Sequence, residues 1–241
     1  MDGRHSRTEG LLGKDGLQKI QNAKVAVIGL GGVGSFVAES LARSGVEHFL
    51  LLDSDCVSES NINRQSIAYY STIGQPKTKV MEQRILDINP SARCQLYQLF
   101  YGKETVTQVD FAGCDFIADA IDNVAGKILL AEKAQELNIP IIAAMGAGNK
   151  LNPSCFEIAD ISKTTVCPLA RVMRRELKAR GITNYKVVYS KEQPVRLSNF
   201  SVQDLAARKK PTPASIAFVP SVAGLLMASY IVRQLVLEKK L

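Results

Sequence analysis

A handful of polar side chains in this chain have the types and spacing to handle a phosphorylated ligand. They are Asp53, Asp55, the run Ser60-Asn61-Ile62-Asn63-Arg64-Gln65, Lys77 in Gly74-Gln75-Pro76-Lys77, and Asp122 in Asp119-Ala120-Ile121-Asp122-Asn123. Asp53 can hold ribose hydroxyls, and Asp55 divides between a ribose contact and a loop turn. Asn61, Asn63 and Gln65 offer amides to ribose or phosphate. Arg64 is a bidentate fork and Lys77 a point charge, a pair suited to a triphosphate. Asp122 can hold Mg2+ through oxygen. Hydride transfer needs none of these cations. Attack of a carboxylate on an α-phosphate needs them, because charge grows on the phosphorus oxygens and on departing pyrophosphate.

Upstream lies the phosphate seat itself. Gly29-Leu30-Gly31-Gly32-Val33-Gly34 follows the apolar run Val25-Ala26-Val27-Ile28 and opens a helical pattern. Gly29, Gly31, Gly32 and Gly34 let the backbone turn sharply and approach a ligand. The helix N-terminus then faces the anion. The glycines alone do not separate a nicotinamide dinucleotide from ATP; Arg64, Lys77 and Asp122 favour ATP.

These loops need a scaffold that gathers them at one edge. Strand and helix patterns alternate along the chain. A helix is expected over 11–22, then a strand over 24–28, a helix over 33–44 and a strand over 49–53. Pro76 suits the first position of a helix reaching Ile88. A strand follows over 94–99, then a short helix over 104–109, a buried strand over 116–122, a helix over 124–137 and a buried strand over 139–144. Alternation of this kind predicts an α/β fold. It is Rossmann-like, a doubly wound, mainly parallel sheet with helices on both faces. Beyond Gly148 an edge strand over 156–161, a basic helix over 168–180 and a strand over 185–190 are expected. The polar segment 191–213 reads as a mobile loop that could act as a lid. An apolar helix over 216–237 follows, long enough for a membrane span but interrupted by Pro220, Ser221, Ser229, Arg233 and Gln234. A buried helix or subunit interface suits it better. Residues 1–150 form the nucleotide-binding domain in this reading, and 151–241 a C-terminal extension of the same globule.

Composition sets the class. The chain has 241 residues, 46% of them hydrophobic and 22% charged, in the manner of a soluble globule. Its five cysteines are scattered with no C-x-x-C pair, which speaks against a disulfide framework or a cysteine-rich zinc site and suits a reducing cytoplasm. The polar N-terminus carries no signal-peptide pattern. A net charge of +7 leans toward a polyanionic partner. Between Lys163 and Lys191 the one acid is Glu176, among eight lysines and arginines. Lys163 precedes a helical stripe of Arg171, Arg174, Arg175 and Lys178, which can meet phosphates or simply be solvated. Arg208, Lys209 and Lys210 add charge further on.

The row of motifs over residues 7–150 resembles the ThiF and MoeB family of ATP-dependent adenylating enzymes, related to ubiquitin-activating enzymes. The resemblance implies that Arg64 and Lys77 contact ATP phosphates and that Asp122 binds the catalytic Mg2+. It also implies that Arg7, in Ser6-Arg7-Thr8-Glu9, reaches across a homodimer into the partner's ATP site. Family members that activate sulfur carriers usually hold zinc with two C-x-x-C pairs, which this chain lacks. The block Asp160–Lys178 and the run Phe218-Val219-Pro220-Ser221-Val222-Ala223-Gly224 resemble instead the branch that acts on threonylcarbamoyladenosine in tRNA. Cys167 departs from that branch, where an acidic residue is expected. The branch implies a tRNA substrate, ATP and Mg2+ with no zinc, and activation of the threonyl carboxylate as an acyl-adenylate; a monovalent cation stays open. The competing readings are an adenylyltransferase for a ubiquitin-like sulfur carrier, a nicotinamide oxidoreductase and a non-catalytic nucleotide-sensing scaffold.

Overall fold

The computed structural model describes residues 3–195 and 213–237. Seven strands build one sheet: β1 (Lys24–Ile28), β2 (His48–Leu52), β3 (Arg93–Tyr97), β4 (Phe116–Asp119), β5 (Ile141–Ala144), β6 (Phe156–Asp160) and β7 (Lys186–Ser190). Their order across the sheet is β3-β2-β1-β4-β5-β7-β6. Every pairing is parallel except β6 with β7, so the antiparallel strand sits at the edge. Among the described residues six α-helices cover it: α1 (Ser6–Asn22), α2 (Gly34–Ser44), α3 (Lys77–Ile88), α4 (Val124–Glu136), α5 (Pro168–Ala179) and α6 (Phe218–Leu237).

Strand side chains alternate between the two faces, and each face has its own apolar cover. Val25, Val27, Phe49 and Leu51 pack under α2, α3 and α6, which contribute Val37, Leu41, Met81, Ile85, Met227 and Ile231. Ala26, Ile28, Leu50 and Ile117 face the other way, toward Leu130 and Ala134 of α4. Further along that face, Ala143 and Val187 meet Met173 and Leu177 of α5. The fold is therefore Rossmann-like and doubly wound. From β1 the chain steps outward to β2 and β3 on one side, then crosses back from β3 to β4 on the other side of β1, so the crevice beyond β1 is the switch point where such folds hold ligands.

Several boundaries differ from the sequence reading for local reasons. The first helix begins at Ser6 and kinks at Gly13, whose φ of 73° and ψ of 169° break the helical run. Pro76 stays outside α3 with ψ 131°, extended and bridged to Cys56, so Lys77 opens the helix. The fourth strand ends at Asp119 instead of Asp122, because the Asp119 carboxylate accepts the Ile121 amide and turns the chain. The third strand ends at Tyr97. Most of the expected loop over 191–213, with Arg208, Lys209 and Lys210, lies outside the described residues.

α6 is long and apolar enough by composition to cross a membrane, yet here it lies on the sheet with Val219, Ala223, Met227 and Ile231 buried. Gly224 lets it press onto the start of α2: a Cβ there would stand 2.5 Å from the Val33 carbonyl oxygen and 3.0 Å from Phe36 Cβ. Gly224→Ala should therefore push α6 off the phosphate turn and cost about 2 kcal/mol. In a thermal melt this is a fall of about 4–8 °C; an unchanged midpoint would show that the two helices yield freely.

Candidate active site

The glycine turn is built by contacts that leave no room for side chains. Gly29 has φ +89°, and a Cβ on it would lie 2.8 Å from the Ala120 carbonyl oxygen. A Cβ on Gly34 would fall 1.7 Å from the Gly29 carbonyl oxygen, inside covalent-contact range. α2 starts without a side-chain cap. The amides of Gly31, Gly32 and Val33 donate to no described residue, so the positive end of α2 is open to an anion.

Around this turn runs a cleft of about 760 Å³, spanning the C-terminal edge of the sheet. It gathers Gly29, Gly31, Gly32, Asp53, Asp55 and Asn61, and with them Arg64, Gln65, Lys77 and Asp122. These residues come from four separate segments of the chain, which is the expectation drawn from their spacing. Gly34 stands behind the turn. Asn63 is not a lining residue: its amide donates to the Ser215 carbonyl at 3.0 Å and its carbonyl oxygen accepts from Arg64 at 2.9 Å. It acts on the cleft through Arg64, whose guanidinium also donates to the Ser60 carbonyl at 2.8 Å. The Arg64 stem passes beside Gly32, where a Cβ would be 3.5 Å from Arg64 Cγ.

The carboxylate of Asp53 is 8% exposed and held on both oxygens. The Leu30 amide donates to one at 2.6 Å and the Asp55 amide to the other at 2.9 Å. Lys77, at the first turn of α3, is buried and faces two carboxylates, 2.8 Å from Asp55 and 3.7 Å from Asp53. That ammonium, donating to Asp55, holds its carboxyl below the usual range despite some burial. Lys77 is therefore a fixed charge at the cleft, not a solvated surface lysine.

Asp122 is exposed in the cleft, and its carboxylate makes no hydrogen bond or ion pair with a described residue. It does not cap α4, since Asn123 takes that role by accepting the Gly126 amide at 2.7 Å. Among the described residues no three His, Cys, Asp or Glu side chains cluster for a metal. A lone free carboxylate beside a phosphate seat still fits Mg2+, which takes one or two carboxylates and completes its shell with phosphate oxygens and water. Gln65 adds a polar group in want of a partner: it is buried, lines the cleft, and its side-chain oxygen has no hydrogen bond with a described residue.

Other predicted residues lie elsewhere. Arg7 is exposed on the first turn of α1. The neighbouring Arg4 bonds Asn89 after α3, and His5 abuts Gly45 after α2. Those are the helix ends at the opposite edge of the sheet, so Arg7 does not reach its own chain's cleft. The basic stripe occupies the outer side of α5, whose inner side buries Ala170, Met173 and Leu177. Lys163, Arg171 and Lys178 are exposed and make no ion pair with a described residue. Arg175 pairs with Glu176 at 2.9 Å. Arg174 instead donates to the carbonyl and hydroxyl oxygens of Thr164 at 2.6 and 2.7 Å, tying the loop before α5. Leu169, at the start of α5, lines the cleft, so the stripe leads away from its mouth. Cys167 is buried beside Gly146.

Sequence reading missed Asn149, Ser215 and Lys127. Asn149 bonds both flanks of segment 196–212: its carbonyl accepts the Val195 amide and its side chain the Ala214 amide, each at 2.7 Å. Its φ of 58° follows the flexible Gly146-Ala147-Gly148 run, the one available hint. Lys127 is fully buried against Asp119.

The ThiF family model matches residues 4–240. A tRNA threonylcarbamoyladenosine dehydratase of Bacillus subtilis (strain 168) is 44% identical over 237 residues, 95% of this chain and 93% of that one. The protein of that name from Escherichia coli (strain K12) is 37% identical over 176 residues, 73% of this chain and 66% of its own length. The crystal structure of the E. coli enzyme, TcdA, in complex with ATP superposes with a TM-score of 0.86 at 31% identity, covering 96% of this chain and 93% of that chain.

The Asp55–Lys77 pair carries a pH signature. A depressed carboxyl pKa stabilises the fold above the unfolded value and loses that contribution as pH falls through the folded one. Wild type should exceed Asp55→Asn in stability by under about 1 kcal/mol at neutral pH, given that Asp55 is largely exposed. The gap should narrow at acid pH, below the ordinary aspartate range, as the Asp55 carboxyl becomes protonated in the folded protein as well. Urea denaturation of the two proteins at both pH values checks this.

Proposed function

This chain belongs to the ThiF family, and on that premise we propose that it is an ATP-dependent tRNA threonylcarbamoyladenosine dehydratase. The observation that carries the proposal is the cleft at the sheet's switch point. There a phosphate-binding turn, two fixed cations and one unpaired carboxylate converge.

The chemistry follows from the parts. The threonyl carboxylate attacks the α-phosphorus of ATP and pyrophosphate leaves. The carbamoyl group then closes on the activated carbonyl and AMP leaves, carrying one carboxylate oxygen. The nucleoside thus loses one water overall. The protein must hold the carboxylate in line and stabilise charge on the phosphates, which is positioning and electrostatics. The open amides of the glycine turn seat phosphate, Asp53 holds ribose, and Arg64 with Lys77 faces the growing negative charge. Mg2+, held by Asp122 and the phosphates, would supply further charge neutralisation. No cysteine nucleophile is needed, and burial pushes the Cys94 and Cys114 thiols up to about 12 and about 11. Residues 1–150 supply the charged side chains of the nucleotide site in this reading, with Leu169, Ser215 and Pro220 completing its wall.

The tRNA enters along α5. Lys163, Arg171 and Lys178 are placed to meet phosphates outside the cleft mouth, with Arg175 alongside. The modified nucleoside would then reach past Leu169. A homodimer supplies Arg7 to the partner's cleft, consistent with its distance from its own. α6 leaves Phe218 and Leu225 about half exposed, and α1 leaves Leu11 83% exposed, an apolar face that a second copy would cover. A tRNA substrate and free thiols suit work in the cytoplasm. An adenylyltransferase for a sulfur carrier would use the same nucleotide site, but the basic α5 stripe offers nothing to a carrier tail.

Incubation with ATP, Mg2+ and tRNA bearing threonylcarbamoyladenosine should remove one water from that nucleoside by mass spectrometry. Carboxylate labelled with heavy oxygen should deliver label to AMP. Carrier-dependent pyrophosphate exchange without any change in tRNA would overturn the reading. Arg64→Ala and Lys77→Met should each lower kcat/KM by about 10²–10³-fold.

The tRNA path has its own test. Joint replacement of Lys163, Arg171 and Lys178 by Ala should flatten the slope of log affinity against log salt by about 2. An unchanged slope would leave the stripe a solvated helix face.

A further inference from the structure

A fully buried charge pair lies directly behind Asp122. Lys127 on α4 and Asp119 at the end of β4 both have side chains with 0% exposure, their nitrogen and oxygen 2.9 Å apart. The same Asp119 oxygen accepts the Ile121 amide at 3.1 Å, and the other accepts the Tyr185 hydroxyl at 3.0 Å. One carboxylate thus receives donors from α4, from its own turn and from the residue just before β7. Burial and the facing carboxylate push the Tyr185 hydroxyl well above its ordinary range, so it stays protonated and donating.

Stability is a poor account of this arrangement. A buried ion pair must offset the desolvation of both charges, and apolar residues of similar volume often serve the fold as well or better. Its position suggests another role. The Ala120 amide is fixed to Ile28 of β1 at 2.8 Å, and Asn123 is fixed as the cap of α4 at 2.7 Å. Between them stand only Ile121, whose amide Asp119 holds, and Asp122. The residues on either side of Asp122 are therefore tied down, while its own carboxylate has no partner among the described residues. Lys127 also cancels the charge of Asp119, which would otherwise repel the Asp122 carboxylate three residues on.

We propose that Asp119, Lys127 and Tyr185 are positioning residues that aim the Asp122 carboxylate at the phosphates of bound ATP. This inference rests on the adenylation chemistry argued above. The three touch no substrate; they act through the turn from β4 to α4.

Two variants test it. Asp119→Leu combined with Lys127→Met replaces the pair by apolar groups of similar size, and Tyr185→Phe removes one hydroxyl. For each, thermal melting, ATP affinity by calorimetry with and without Mg2+, and kcat and KM for ATP are measured. The double variant should melt below wild type, because the Ile121 amide and the Tyr185 hydroxyl lose their acceptor, yet bind ATP as wild type does without Mg2+. It should lose the gain in affinity that Mg2+ gives, and kcat should fall by about 100-fold, as for a misplaced group at a reacting centre. Tyr185→Phe should show the same pattern more weakly, with KM unchanged. A folded double variant with wild-type kcat and Mg2+ response overturns the proposal. If the double variant does not fold, Tyr185→Phe decides: a wild-type kcat and Mg2+ response overturn the proposal, and a loss of both with the melting point kept supports it. Asp122→Asn separates this inference from its premise. Full activity in that variant would refute the role of Asp122 itself, whereas its inactivity beside active Asp119, Lys127 and Tyr185 variants would refute only the positioning.

Discussion

The site hangs on a contact between backbones that admits no side chain. Gly34 sits so close to the Gly29 carbonyl that a Cβ would overlap it, and Gly29 in turn presses on Ala120. Through these contacts the end of β1, the start of α2 and the end of β4 become one rigid corner. The open amides of α2, the Asp53 carboxylate that fixes Leu30, and the turn carrying Asp122 are all attached to that corner. α6, a helix from the far end of the chain, braces it from above through the Gly224 contact with Val33. The C-terminal segment is thus part of the nucleotide site without lining most of it.

Charge around the corner follows a simple rule. Groups that must keep their place are paired: Lys77 with Asp55, Asp119 with Lys127, Arg64 with the Ser60 carbonyl and Asn63. Other groups at the cleft have no partner among the described residues: the amides of Gly31 to Val33, the side-chain oxygen of Gln65 and the carboxylate of Asp122. Desolvated cations cost free energy unless neighbours hold them, and the neighbours here are placed so that each cation still lines the cleft. The same division appears on α5, where Arg174 is spent on Thr164 while Arg171 and Lys178 stay open.

Most of this was legible in the chain because apolar alternation and glycine punctuation are local signals. β1, β2, α3, β5 and the antiparallel edge strand stand within a residue or two of where periodicity puts them. The cleft residues were legible because loops after parallel strands must emerge at one edge. What escaped was non-local. Asn63 carries the residue type of a ligand contact, but its partner is Ser215, 152 residues away. Arg174 fits a helical stripe by spacing, and only the folded loop shows that Thr164 claims it. Lys127 resembles any helix lysine until α4 docks, and then it has no exposure at all. The end of β4 at Asp119 was missed because an apolar run hides a carboxylate that turns its own chain.

Fixed charge is what this scaffold offers to the reaction. Forming an acyl-adenylate requires two anions, a carboxylate and a triphosphate, to come together, and in water most of the cost is reorganising dipoles around them. Here the cations and open amides already stand in place, held by a sheet, a glycine corner and ion pairs settled during folding, so little reorganisation remains at the moment of attack. On the proposed path along α5, a tRNA backbone would stay outside the cleft. Phosphates of a tRNA would compete for Arg64 and Lys77 if the basic stripe ran into the site. With the stripe on the outer side of α5, and Leu169 between it and the cleft, the two sets of phosphates are kept apart. Only the modified nucleoside, whose reacting end is a carboxylate, then has reason to enter.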